Sequence, residues 1–401
     1  MAPLHPNLAE GATMTTNEES STGRYLVLLE DNSTIIGTRE LTRLTGIRCA
    51  NTADAAGAAP GELFRGAGGI VLHQLGIALI SADPDQAAAL ERASRETSTI
   101  AAFEQERRVF AIGAEAQVED GEFTWGLQAV RADHAQPTGK GVRVAVLDTG
   151  LDLKHPDFAD RDIVTGSFVD GQDVQDGHGH GTHVIGTSCG PRASQAGPGY
   201  GIASEASIYA GKVLGDDGSG TDSGILSGIE WAISNGAAVV SMSLGAPTQP
   251  GEPFSASFER VAQRAMERGT LIIAAAGNES QRSAGTVAPV GHPANCPSIL
   301  AVGAIDSQLQ IADFSSGTVD EIGQVDLVGP GVDVYSSWPG AERYRKLSGT
   351  SMATPHVAGV AALYAQQYPE RAWGLWARLS QTAHRLPLAS TDVGAGVVKA
   401  P

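Results

Sequence analysis

Three short stretches of this 401-residue chain carry side chains that together could turn a hydroxyl into a nucleophile. Asp148 closes the apolar run Val142 to Leu147, in Val146-Leu147-Asp148-Thr149-Gly150. His180 sits in Asp176-Gly177-His178-Gly179-His180-Gly181-Thr182-His183-Val184, at the entry of a small-residue helix. Ser351 lies in Gly349-Thr350-Ser351-Met352-Ala353-Thr354-Pro355-His356-Val357-Ala358-Gly359, ahead of a helical run through Val357, Val360, Ala361, Leu363 and Tyr364. A serine hydroxyl is a weak nucleophile until a neutral imidazole takes its proton. The imidazole in turn needs a carboxylate on its second nitrogen to hold its tautomer. A serine at a helix start also has its N–H among the unpaired donors beside the positive end of the dipole, a place suited to an oxyanion. Pro355 is expected in that first turn, where a proline loses no hydrogen bond. Singly, each stretch has a plain structural reading: a strand-end cap, a histidine between glycines, a close-packed helix start. The conjunction of Asp, His and Ser is far more specific.

A second chemistry is open at the histidines. His178, His180 and His183 fall within six residues, as a zinc hydrolase could require, but without the helical His-Glu-x-x-His spacing. Gly197-Pro198-Gly199-Tyr200-Gly201 lacks both the spacing and the lysine of a nucleotide loop and reads as a turn.

The elements that must position these residues follow from the apolar pattern. Val142 to Leu147, Ile208 to Leu214, Ala237 to Leu244 and Thr270 to Ala276 lack polar alternation, as strands buried on both faces do. Between them, Ile225, Ile229 and Ile233 recur at helical spacing, as do Phe254, Phe258, Val261 and Ala265. Strands alternating with helices predict a three-layer α/β domain with a mostly parallel, doubly wound sheet over residues 125–401. Active sites of such sheets form beyond the carboxyl ends of strands, where Asp148 falls.

Upstream, residues 1–23 are polar and aperiodic and read as a disordered arm. Residues 24–112 predict a separate small α+β unit. Its strands are Tyr25 to Leu29, Ile70 to Leu72, Ile77 to Ile80, Ile100 to Phe103 and Val109 to Ile112, with helices over Thr38 to Leu44 and from Pro84 through Ala93. Asn51 to Gly69 is Ala- and Gly-rich and reads as an exposed loop. Residues 113–124 form an acidic linker in which a cleavage site is expected between Ile112 and Asp120.

The bulk composition narrows the partners. A net charge of −18 argues against nucleic acid or an anionic membrane. No run is long enough to span a bilayer, and the N-terminus lacks the apolar core of a secretory signal. A cytoplasmic protein, or one exported without a recognisable signal, is expected. Cys49, Cys189 and Cys296 are too few for a disulfide framework, and burial is the expected role of the latter two.

Through these motifs, residues 125–401 resemble the subtilisin-like serine proteases, the subtilase family. The likeness continues in Tyr209-Ala210-Gly211-Lys212-Val213-Leu214, Ser243-Leu244-Gly245, Ala275-Ala276-Gly277-Asn278 and Gly394-Ala395-Gly396. It implies that Asp148 orients His180, that His180 is general base and then acid, and that Ser351 attacks the scissile carbonyl. Asn278 and the Ser351 N–H would hold the oxyanion. Ser243, Leu244 and Gly245, facing Gly218, Ser219 and Gly220, would pair with an extended polypeptide substrate. Ala275, Ala276 and Gly277 would wall its first pocket, with Gly291 on the floor and Glu279 near the rim. No cofactor is implied for the chemistry. The resemblance makes Asp157 and Asp306 candidate ligands of structural calcium, although Arg192 to Gly199, where the rest of the Asp157 site would lie, carries no carboxylate. Asp170, Asp173 and Asp176 are a third candidate cation site or a solvated acidic loop. The unit 24–112 resembles the family's propeptide, an intramolecular inhibitor that the enzyme removes; a permanent regulatory domain is the alternative. A serine endopeptidase made as a self-processing zymogen is therefore expected, with a peptide ligase or macrocyclase, a propeptide-regulated processing protease or an inactive binding module of the same fold as the alternatives.

Overall fold

Seven strands, most of them buried and largely apolar, assemble into one parallel sheet because a sheet covered on both faces buries the side chains of both strand faces. The structure, a computed structural model, describes residues 21–30, 34–54, 67–96, 99–111, 114–115, 121–194 and 197–401. The N-terminal unit contains β1 (Ser21–Leu29), α1 (Thr34–Thr45), β2 (Cys49–Asn51), β3 (Gly69–Leu72), β4 (Ile77–Ser81), α2 (Pro84–Glu96) and β5 (Ile100–Ala111). After β6 (Ala114–Glu115) come α3 (Trp125–Ala129), β7 (Arg143–Asp148), β8 (Ile163–Ser167), α4 (His180–Cys189), β9 (Ser207–Lys212), β10 (Ser219–Thr221) and α5 (Asp222–Ser234). Next are β11 (Val239–Met242), β12 (Leu244–Gly245), α6 (Ala256–Glu267), β13 (Leu271–Ala275), β14 (Leu300–Ile305), β15 (Leu327–Pro330), β16 (Val334–Ser337) and β17 (Tyr344–Ser348). The chain ends through α7 (Thr350–Gln367), α8 (Trp373–Thr382) and α9 (Ser390–Val393).

The parallel sheet runs β15-β14-β13-β11-β7-β9-β8. Alternation along β7 shows how it is filled. Val144 and Val146 point into the core shared with α4 and α7, while Ala145 and Leu147 point into the one shared with α5 and α6. The predicted three layers are present, but the run Ala237 to Leu244 is divided at Ser243, so that β12 leaves the sheet to pair elsewhere.

The N-terminal unit follows the same two-faced logic. Val27 and Leu29 of β1 pack with Leu41 and Leu90 from α1 and α2; Leu26 and Leu28, one residue off, share a core with Ile225 and Val261 of α5 and α6. Its five strands run β5-β1-β4-β3-β2. The two strands predicted at Ile100 to Phe103 and Val109 to Ile112 are instead one, β5, because Glu104 and Glu106 interrupt the apolar pattern without ending the ladder. Both carboxylates reach the helices opposite. Glu104 accepts from the Ser255 hydroxyl and from Ser257 N–H (3.0 Å) at the start of α6. Glu106, fully buried, accepts from Ser223 N–H (2.8 Å) at the start of α5, from Arg24 Nε (2.6 Å) and from the Thr22 hydroxyl. A helix start offers unpaired N–H donors and a positive dipole end, which explains why two acids sit at this contact. The reading of Asn51 to Gly69 as loop is displaced at its edges, since Asn51 ends β2 and Gly69 opens β3; residues 55–66 lie outside the described set. So do residues 1–20 of the predicted arm, while Ser21 to Gly23 open β1.

Candidate active site

Asp148 ends β7, fully buried, and its Oδ1 accepts from Thr149 N–H and from His180 Nδ1, both at 2.8 Å. His180 begins α4 and is 3 % exposed. The helix start is fixed by Asp176, which is neither a solvated acid nor a cation ligand. Its Oδ1 accepts from Thr149 Oγ1, His178 N–H and Gly179 N–H, and its Oδ2 from the N–H and hydroxyl of Thr182, all within 2.6–3.1 Å. A carboxylate filled by five donors ties the turn after β7 to the first turn of α4, and so sets the spacing of Asp148 and His180. Its distance in sequence from Thr149 hid this role. Gly150, at φ +111°, completes the turn: a Cβ there would lie 2.2 Å from the Val174 carbonyl oxygen.

Ser351 is the second residue of α7 and fully buried, and its hydroxyl donates to the Ser243 carbonyl (3.0 Å). Pro355 is not in the first turn as expected but inside the helix, where it leaves the Ser351 carbonyl without its i+4 donor. The Ser243 hydroxyl supplies that bond at 2.7 Å. Two reciprocal contacts therefore lock Ser351 to the break between β11 and β12. Beside them, Asn278 Oδ1 accepts from Thr350 N–H (2.9 Å) and Thr350 Oγ1 (2.8 Å), so the carboxamide oxygen is committed and its NH2 is directed away from Thr350.

The predicted substrate edges face each other across part of the chain itself. Phe110 of β5 is opposite Ser219 on one side and Gly245 on the other; Val109 pairs with Gly220 and Ala111 with Leu244, all antiparallel. Beyond residues 112–113, which lie outside the described set, Ala114 and Glu115 pair with Ser348 and Leu347 of β17. Gly218 turns the chain into β10 at φ +77°. Ala275 and Ala276 are buried at the end of β13; Gly277 N–H donates to Thr350 Oγ1, and Gly291 N–H donates to the Ala276 carbonyl (2.9 Å). A Cβ on Gly291 would meet the Ala246 carbonyl at 2.8 Å, so glycine keeps this wall closed against β12. Glu279 is exposed at the rim and accepts from the Ser316 hydroxyl (3.3 Å).

Of the neighbouring histidines, His178 meets the His180 ring edge-on, with centroids 6.3 Å apart, while His183 turns away. His183 Nε2 is directed to the carbonyls of Val334 (2.9 Å) and Arg345 (3.1 Å). Burial, with the charge of His180 as a lesser cause, holds it down to about 3; burial likewise holds His356 down to about 4. Both fold as neutral rings that take up protons when the chain unfolds. Stability is thus complete above the ordinary histidine range near 6.5 and is lost progressively as pH falls towards 4. Urea titrations between pH 7 and 5 are expected to show a declining midpoint, with a shallower decline in His356→Gln.

The calcium expectation fares differently at each acid. Asp157 Oδ2 accepts the hydroxyls of Tyr200 (2.7 Å) and Tyr344 (3.0 Å), and Tyr335 stacks on Tyr344. Burial pushes the Tyr200 phenol well up, and the Asp157 charge adds to it, so the phenol stays a donor. The two phenols thus occupy one oxygen of Asp157, while its Oδ1 is buried without a hydrogen-bond partner among the described residues. Two tyrosine hydroxyls and one carboxylate are fewer than the six to eight oxygens calcium takes. Asp306 Oδ1 accepts from the N–H groups of Gln308 and Gln310 (both 2.9 Å) in a tight turn. Among the described residues, no group of three or more His, Cys, Asp or Glu is placed to hold a metal. Cys189 and Cys296 are buried and unpaired, as expected, and Cys49 is half-buried.

A parallel α/β sheet with a carboxylate, an imidazole and a helix-start serine at its carboxyl end defines an α/β serine hydrolase. Residues 139–392 match the subtilase family model. The chain is 41 % identical over 275 residues to subtilisin DY of Bacillus licheniformis, covering 67 % of this chain and 92 % of that protein. It is 42 % identical over 275 residues to subtilisin E of Bacillus subtilis, covering 67 % and 66 %. Against subtilisin Savinase of Lederbergia lenta it is 42 % identical over 285 residues, covering 69 % and 96 %. The chain belongs to the subtilase family and is a serine-type endopeptidase. Among the described residues, no helix is long and apolar enough to cross a membrane.

Proposed function

We propose that the chain is a self-processing zymogen that cleaves polypeptides through Asp148, His180 and Ser351. The observation that carries this is β5, which lies antiparallel between β10 and β12 and leads towards Ser351 as a substrate would. Ala111, the last described residue of β5, is opposite Leu244, next in the chain to Ser243, whose carbonyl accepts from the Ser351 hydroxyl. The bond from Ile112 to Gly113 is then the one cut, at the near edge of the interval expected from the sequence.

In the reaction, the Ser351 hydroxyl leaves the Ser243 carbonyl and gives its proton to His180 Nε2 as Oγ bonds to the carbonyl carbon. Asp148, on Nδ1, holds the tautomer and stabilises the imidazolium. The Ser351 N–H and the Asn278 NH2 receive the oxyanion, each such donor contributing on the order of a hundredfold to a thousandfold in rate. His180 then protonates the leaving amine as the C–N bond breaks, and water releases the acyl group by the same route. Labelling with a fluorophosphonate tests the reading: the adduct should map to the peptide holding Ser351 and should be blocked in chains whose residues 21–111 remain in place.

Until that cut is made, the N-terminal unit acts as an intramolecular inhibitor, held by its helix contacts. Removing the buried Glu106 leaves the Ser223 N–H and the Arg24 guanidinium without their acceptor, a loss of about 3 kcal/mol. In an uncut Ser351→Ala background, Glu106→Ala is expected to lower hydrogen-exchange protection of the β5 amides by roughly a hundredfold.

A further inference from the structure

The β5 strand carries a cation into a polar recess that the catalytic residues do not use. Arg107 shares a strand face with the buried Val109, two residues away, and reaches Asp222 and His292. Its backbone N–H donates to Asp222 Oδ2 (2.8 Å), and its Nη1 lies 3.0 Å from His292 Nδ1. His292 Nε2 is 3.0 Å from Asp222 Oδ1. The tautomer follows from the partners. A guanidinium can only donate, so Nδ1 accepts from Arg107, and the ring proton on Nε2 is donated to Asp222. With the strand in place, Asp222 is 2 % and His292 1 % exposed. The imidazole is held by the edge-on ring of Phe258, with centroids 4.6 Å apart, and by paired backbone bonds between His292 and Ala246, both 2.9 Å. Glu252 adds a carboxylate 3.7 Å from Arg107 Nη2 at the rim. The recess is therefore two acceptors, each fixed by partners in the protein, and a second negative charge. When β5 leaves, the Asp222 and His292 acceptors open onto the cleft between β10 and β12.

We propose that Asp222 and His292 form a specificity subsite for a basic residue, arginine before lysine, in polypeptide substrates. The residue it reads is the one three positions upstream of that facing Gly245, which is five positions upstream of Ile112. Arginine is favoured because its planar fork can meet His292 and Glu252 together, whereas an ammonium is a single point charge. The neighbouring Arg108 is exposed on the other strand face and serves as an internal control. The subsite rests on the reading of β5 as a bound substrate strand.

Internally quenched peptides spanning residues 104–116 test it on the processed enzyme. Replacing Arg107 by Gln in the peptide should lower kcat/KM about tenfold and by Glu about a hundredfold, the scale of charge-assisted hydrogen bonds. Replacing Arg108 by Gln should change it less than about twofold. In Asp222→Asn enzyme, the dependence on Arg107 should shrink to about threefold. Wild-type enzyme that cleaves the Arg107, Gln and Glu peptides at equal rates overturns the subsite and leaves the endopeptidase reading standing. Should no peptide be cut by protein that also resists fluorophosphonate, the subsite falls together with the reading on which it rests.

Discussion

Ser351→Ala is expected to leave the chain whole. Incubated wild-type protein should lose its first 112 residues, giving a new N-terminus at Gly113, whereas the alanine variant should keep its full mass and neither hydrolyse peptides nor bind fluorophosphonate. The expected loss exceeds a thousandfold, because Oγ is the atom that bonds to the substrate and no neighbour can replace it. The fold should tolerate the change. The Ser351 hydroxyl makes one bond, to the Ser243 carbonyl, and the helix keeps its Ser243-to-Ser351 contact through the backbone carbonyl. Intact mass and N-terminal sequencing of the two proteins side by side check the outcome. Equal trimming of both would assign the cut to another protease; full activity of the variant would remove Ser351 from the chemistry.

Asp148→Asn should have the next largest effect, about ten-thousandfold on kcat with KM little changed. The geometry gives the cause. One oxygen, Oδ1, accepts from both Thr149 N–H and His180 Nδ1. Asparagine can keep its carboxamide oxygen there, so the histidine ring is not turned away, but the negative charge that stabilises the imidazolium is gone. The variant should therefore remain a slow enzyme and not an inert one. Its chain should be trimmed over days at the same bond as wild type, in contrast to Ser351→Ala. Peptide kinetics and time-resolved mass measurements separate the two cases. A drop of less than tenfold would mean that Asp148 is a structural cap and not the partner of a catalytic base.

Much of this site could be read from the chain before any fold was known. Asp148 ends an unbroken apolar run, His180 and Ser351 begin helices rich in small residues, and each of these is a local pattern set by neighbours a few positions away. The parallel sheet was legible for the same reason, since buried strands and amphipathic helices announce themselves by periodicity. Local patterns also misplaced some features. Pro355 looked like a first-turn proline, because nothing nearby showed that a hydroxyl 112 positions upstream would donate to the carbonyl it leaves bare. Asp176 looked like one of several solvated acids, and β5 looked like two strands.

What the sequence by itself determined is the chemistry available: a hydroxyl, an imidazole and a carboxylate, the glycine turns beside them, and the strand end and helix starts on which they sit. The tertiary structure alone decided what meets them. It laid β5 between β10 and β12, set Glu104 and Glu106 against the starts of two helices, set two tyrosine hydroxyls on one oxygen of Asp157, and joined Asp222 to His292 beside Arg107. These contacts join residues from tens of positions to well over a hundred apart. Their partners are chosen by strand register and by which buried polar group must be satisfied, and neither is encoded in the periodicity of any single segment.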